Sequence, residues 1–200
     1  MEQPFNPDAL AQRIGQLSLH ARLAFLLSCA ERLIPNYAAF SRHHGWGHPG
    51  TLRDALDLGW RQLSGNAVER GEIEACLGYC EDMTPDTEDF QSAYVSAGLD
   101  AAVCCASILE LLLKDDSAKV VDGASLACGT VDMHVQELER YDSQEPELEQ
   151  KIFRHPLMQR ELRRQREDLD LLETMSLSSS DIEVLARKWR NPAASNIDRH

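Results

Sequence analysis

Apolar residues recur along this chain at helical rather than strand spacing. Leu19, Leu23, Leu26, Ala30 and Leu33 fall three and four apart, and Leu52, Ala55, Leu56, Gly59, Trp60 and Leu63 fill every position of an i, i+3, i+4, i+7, i+8, i+11 stripe. The punctuation agrees. Asn6-Pro7 is an N-cap followed by proline at the first helical position, Ser18 caps the next helix, and Thr51 caps a third. Pro35 is expected to stop the second helix, with a short separate helix around Tyr37 to Phe40. Gly45, Gly47, Pro49 and Gly50 mark a loop. Further helices are expected from Glu69 to Met83, Ala118 to Arg140, Pro146 to His155, Pro156 to Met175 and Asp181 to Arg190.

One stretch organises the rest. AYVSAGLDAAVCCASILELL, with the leucines and charges that follow it, reads as a central helix over about 93–114. Ala101, Ala102, Val103, Cys104, Cys105 and Ala106 leave no polar face there, which places the helix inside a protein or a bilayer. Asp100, Ser107 and Glu110 interrupt it, so burial is expected and a membrane span is not. The helix from Ala118 shows an inner stripe of Val120, Ala124, Ala127, Val131, His134 and Leu138; close approach to the central helix would account for its Gly123 and Gly129. No run alternates as a strand would. The pattern predicts an all-α, single-domain bundle of seven or eight helices over residues 1–200, with 192–200 a frayed tail.

Charge narrows the function classes. The formal net charge of −13 is concentrated between Asp54 and Asp122, which disfavours nucleic-acid backbones and anionic membranes as partners. The N-terminus has no basic region followed by an apolar core, so a cytoplasmic location is expected. Cys29, Cys76, Cys80, Cys104, Cys105 and Cys128 all fall in apolar helical patterns and read as reduced core thiols.

The segment CAERLIPNYAAF from Cys29 to Phe40, the helix holding Trp60, the small-residue central helix and the late Ser195-Asn196-Ile197 resemble the YjaG-like family of uncharacterised bacterial proteins. The resemblance runs from about Leu17 to Ile197, and Asp198 stands where a glycine would be expected. It implies a single helical cytoplasmic domain and carries over no activity, catalytic residue or cofactor.

The constellations that could carry chemistry are few. His43, His44 and His48 cluster around Trp46, but adjacent histidines rarely aim at one ion, so no metal is expected. Cys76 with Cys80 lacks the Cys-x-x-Cys spacing of redox and zinc sites. Glu31 and Arg32, followed by Pro35, Asn36 and Tyr37, form a helix-end corner able to offer hydrogen bonds and an aromatic anchor, although a structural role, with Asn36 capping the next short helix, is the favoured reading. Asp100 would have a raised pKa unless paired, and Arg32 is the expected partner; a pocket between helices is the other reading. His134, with Asp132 and Glu137 near in sequence, fits either a core histidine or a general base. The pattern therefore leans away from an enzyme. It points first to a non-catalytic interaction module offering an acidic face to a protein partner or a second copy, and second to a small-molecule binder or enzyme with a pocket between helices. The candidate residues are Glu31, Arg32, Asn36, Tyr37, Asp100 and His134, with no cofactor expected.

Overall fold

The computed structural model describes residues 4–90, 92, 94–190 and 195–198. Nine helices and no strand occur among them: α1 (Pro7–Gln16), α2 (Leu19–His44), α3 (Pro49–Leu63), α4 (Arg70–Asp82), α5 (Val95–Lys114), α6 (Ala118–Glu139), α7 (Leu148–Arg154), α8 (Pro156–Thr174) and α9 (Ser179–Trp189). Asn6 Oδ1 accepts from Ala9 N and Ser18 Oγ from Ala21 N, at 3.0 and 3.2 Å, so the caps expected for α1 and α2 are present. Ser178 and Asp181 make a reciprocal capping box at the start of α9.

α5 is the central rod. It packs against α2, α3, α4 and α6, and Ala101, Ala102, Cys104, Cys105, Ile108 and Leu109 are wholly buried. Its length and apolarity alone would allow it to cross a bilayer, contrary to the expectation from its polar residues; its apolar surface is instead mostly covered by neighbouring helices. The covering is incomplete, since Val103 is 37% exposed. The expected start at Ala93 lies outside the described residues.

Pro35 does not end α2. The helix runs through it to His44, where Gly45 at φ 62° provides a left-handed C-cap. A proline in a helix interior removes one backbone hydrogen bond and costs about 3 kcal/mol. Here the flanking Leu33, Asn36, Tyr37 and Phe40 are all buried, and that packing holds the helix together across the break. The expected short helix is thus the last part of α2.

Other expectations change. α3 begins at Pro49 with His48 at its N-cap position, so Thr51 lies inside the helix rather than capping it. Gly123 does sit at a close approach: a Cβ there would lie 2.3 Å from Leu26 Cδ1 and 3.3 Å from Cys104 Sγ. Gly129 faces open space, with nothing within 4 Å of its Cβ position, and Leu138, placed on the inner stripe, is exposed. In the tail expected to fray, Ser195, Asn196 and Ile197 are buried; residues 192–194 and 199–200 lie outside the described residues.

Candidate functional site

Adjacent residues of a helix point about 100° apart. In α2 this sends Glu31 toward α3 and Arg32 toward α8, and two separate polar assemblies result.

The first lies at the surface. Glu31 is 2% exposed and its carboxylate is clamped by Arg53 of α3, whose Nη1 and Nη2 donate to Oε2 and Oε1 at 2.9 and 2.7 Å. Trp60 Nε1, two turns further along α3, donates to Oε1 at 2.8 Å. Arg190, just past α9, stands 4.0 Å from the same oxygen and donates to Asp57 Oδ1 at 2.6 Å. Above this base opens a cleft of about 560 Å³. Its polar wall is Glu31, Arg42, Arg53 and Arg190; its apolar wall is Ile34, Pro35, Ala38 and Pro49, with Gly50 beside them. The volume lies within the range of small-ligand sites.

The cleft's electrostatics favour anions in an otherwise acidic chain. Burial opposes the charge of Arg53, but the hydrogen bonds and charge of Glu31, aided by Asp57, outweigh it and raise its pKa, so this guanidinium stays charged. Arg53 Nε is buried and has no hydrogen-bond acceptor among the described residues. Arg42 makes no ion pair among them. Pro49 and Gly50 belong to the first turn of α3, which has no acidic side chain and no side-chain cap from His48. The partial positive charge of that helix end is therefore left for whatever enters.

The second assembly is internal. Arg32 donates to Asp168 Oδ2 at 2.9 Å and to Glu161 Oε1 at 3.1 Å, with all three side chains buried. Burial opposes Arg32's charge, and Glu161, Cys29 and Asp168 raise its pKa despite it. Asp168 Oδ1 also accepts from Lys188 Nζ and Trp189 Nε1, each at 2.9 Å, which fastens α9 to α8. Gln165 extends the network, donating to Glu161 Oε1 at 3.0 Å and to the Ala124 carbonyl at 3.1 Å.

Of the six candidate residues Glu31, Arg32, Asn36, Tyr37, Asp100 and His134, Glu31 alone lines the cleft. Asn36 caps nothing: its Nδ2 donates to Asn196 Oδ1 at 2.9 Å and its Oδ1 accepts from Ser195 Oγ at 2.7 Å. Asn196 adds bonds from its N to the Arg32 carbonyl and from Nδ2 to the Ala127 carbonyl, at 3.1 and 2.9 Å, so the chain end is stitched into the bundle. Tyr37 OH donates to the Met83 carbonyl at 2.7 Å. Asp100 does not meet Arg32. It accepts from Thr130 Oγ1 at 2.6 Å, and burial, only partly offset by that bond, pushes its pKa up to about 6. His134 is half-buried on α6, and the neighbouring Asp132 accepts from Gln136 Nε2 at 2.5 Å.

The histidine loop disperses. His43 stacks on Tyr94 with ring centroids 4.7 Å apart, His44 Nε2 lies 2.6 Å from Ser92 Oγ, and His48 precedes α3. No group of three metal-ligating side chains is assembled among the described residues. All six cysteines are free and buried, and burial pushes the Cys29 thiol up to about 12, well into the unreactive range.

Sequence reasoning missed Arg42, Arg53 and Arg190. One signal was available: Arg53, Asp57 and Trp60 are spaced by four and three and so share one face of α3. Arg190 had none, because its place depends on how α9 docks.

With this geometry in place, comparison with known proteins defines the class: a family of proteins of unknown function. The family described as "Protein of unknown function (DUF416)" matches residues 9–198, and the chain belongs to it. A crystal structure of a DUF416 family protein from Shewanella baltica OS155 is similar over 94% of this chain and 97% of that one, at a TM-score of 0.86 and 25% identity. Two curated relatives are similar over shorter spans. The uncharacterized protein YjaG of Escherichia coli K12 is 27% identical over 52% of this chain, and an uncharacterized protein of Haemophilus influenzae is 26% identical over 62%. The matches span 53% and 64% of the length of those relatives.

Proposed function

We propose that this protein is a non-catalytic cytoplasmic binding module whose cleft between α2, α3 and α9 takes a small molecule by an anionic group. The observation that carries the reading is the convergence of Arg42, Arg53 and Arg190 with the uncapped start of α3 around one cavity, in a chain of net charge −13. An excess of guanidinium groups retained in one concave place is what anion recognition needs. Glu31 does not suit the role of a general base, because both its oxygens already accept from Arg53 and Oε1 also from Trp60. Calorimetric titration with small carboxylates and phosphates at low salt tests the reading. Saturable binding that weakens as salt rises, and weakens again in Arg190→Gln, is expected; no saturable heat from any anion would overturn it.

A second reading, the acidic interaction module, is favoured by α4 and the loop after it. Glu72, Glu74, Glu81, Asp82, Asp86, Glu88 and Asp89 are exposed there, and Tyr79 among them is 63% exposed. An aromatic anchor ringed by charge is a common feature of protein-binding surfaces. Salt-sensitive capture of a basic partner that is lost in Tyr79→Ala supports it; capture indifferent to both salt and Tyr79 contradicts it.

A further inference from the structure

The charge inventory of the cleft restricts what kind of anion it holds. Three guanidiniums, of Arg42, Arg53 and Arg190, face two carboxylates, since Asp57 bonds Arg190 at 2.6 Å and Glu31 bonds Arg53 at 2.7 Å. One positive charge is left over, and the only cation of the three without an ion pair among the described residues is Arg42. A monoanion neutralises that excess. A dianion would leave a second negative charge facing Glu31 and Asp57, with only a helix end to compensate it.

The same inventory rules on cationic groups. An amino acid or amine would need an acceptor for its ammonium. Glu31, the carboxylate in the cleft wall, is 2% exposed and engaged by Arg53 and Trp60. An ammonium beside three guanidiniums would be repelled. The rest of the wall, Ile34, Pro35, Ala38 and Pro49, offers apolar surface for a hydrocarbon body.

We propose that the cleft selects a monocarboxylate with an apolar body and no ammonium group, over phosphate monoesters and amino acids with the same tail. This rests on the anion-binding reading above. Its carboxylate is planar and matches a guanidinium fork, with Arg42 and Arg190 at its sides and the start of α3 at its end; its chain lies along Ile34 and Ala38.

The test is calorimetric titration of the full chain with octanoate, octyl phosphate and 2-aminooctanoate, which share one tail and differ in the head. Octanoate should bind, 2-aminooctanoate at least about tenfold more weakly, and octyl phosphate no more tightly than octanoate. Arg42→Gln, at an exposed position, should weaken octanoate about tenfold, the loss expected for one charge-assisted bond. Asp57→Asn releases Arg190 and should move the preference toward octyl phosphate. Octyl phosphate binding about tenfold tighter than octanoate, or 2-aminooctanoate binding equally well, would overturn this assignment and leave the anion reading standing. Octanoate binding that Arg42→Gln does not change would also overturn it. Failure of octanoate and octyl phosphate alike would remove both.

Discussion

Glu31 and Arg32 are neighbours in sequence that serve different faces of α2: Glu31 is held at 2.7 Å by Arg53 under the open cleft, and Arg32 at 2.9 Å by Asp168 inside the bundle. The pair sits one turn before Pro35, so the proline break, the surface site and the internal ion network share one stretch of helix. Trp60 and Trp189, which donate to Glu31 and Asp168 respectively, approach to 6.3 Å between ring centroids and close the gap between the two assemblies.

Breaking the internal network should be costly. Asp168 is 2% exposed and is the common acceptor for Arg32, Lys188 and Trp189. Asp168→Ala leaves the buried guanidinium one carboxylate short and frees the end of α9. A loss of about 3–5 kcal/mol is expected from urea denaturation, together with faster amide exchange through α9.

Glu31→Gln should act locally. The amide keeps an acceptor for Trp60 but sets an N–H against one nitrogen of Arg53. A destabilisation of about 1–3 kcal/mol is expected in the same assay, with anion affinity retained or increased, since a negative charge has left the cleft.

Asp100 gives the fold a pH signature. Its pKa is pushed up to about 6 from 3.8, so between those values the folded chain holds a proton that the unfolded chain has released. The protonated group's contribution is complete below the unfolded pKa and is lost as pH rises through the folded one. The stability difference between Asp100→Asn and the parent should therefore shift toward the variant by up to about 3 kcal/mol from pH 4 to pH 7. Denaturation of both proteins across that range measures it, and parallel profiles would contradict it.

Two glycines of α6 should respond with opposite signs. Gly123→Ala puts a methyl 2.3 Å from Leu26 Cδ1 in a wholly buried contact, and overpacking of about 1–3 kcal/mol should exceed the gain in helix propensity. Gly129→Ala meets nothing within 4 Å and should stabilise by up to about 1 kcal/mol. Melting temperatures of the two variants decide the matter.

Where the fold was legible, it was legible through period and caps. The stripe from Leu52 to Leu63, the Asn6 and Ser18 caps and the small-residue run of α5 point to helices and to which one lies innermost. Pro35 misleads because its local cost is visible in sequence while the packing of Tyr37 and Phe40 that offsets it is not. Glu161 and Asp168 mislead for a related reason. In a helix as rich in charge as α8 they look solvated, and only the docking of Arg32 and α9 buries them. The cleft was half legible: Glu31 stands in a corner of residues that look usable, whereas Arg53 and Arg190 reach it from helices 22 residues and far more away in sequence. Nothing local marks such a meeting.

The most direct measurement is a map of backbone amide shifts during an octanoate titration. The account predicts saturable changes that centre on Arg42, Gly50, Arg53 and Arg190, while the α4 face around Tyr79 stays still. Shifts confined to another surface, or none at saturating ligand, would contradict it.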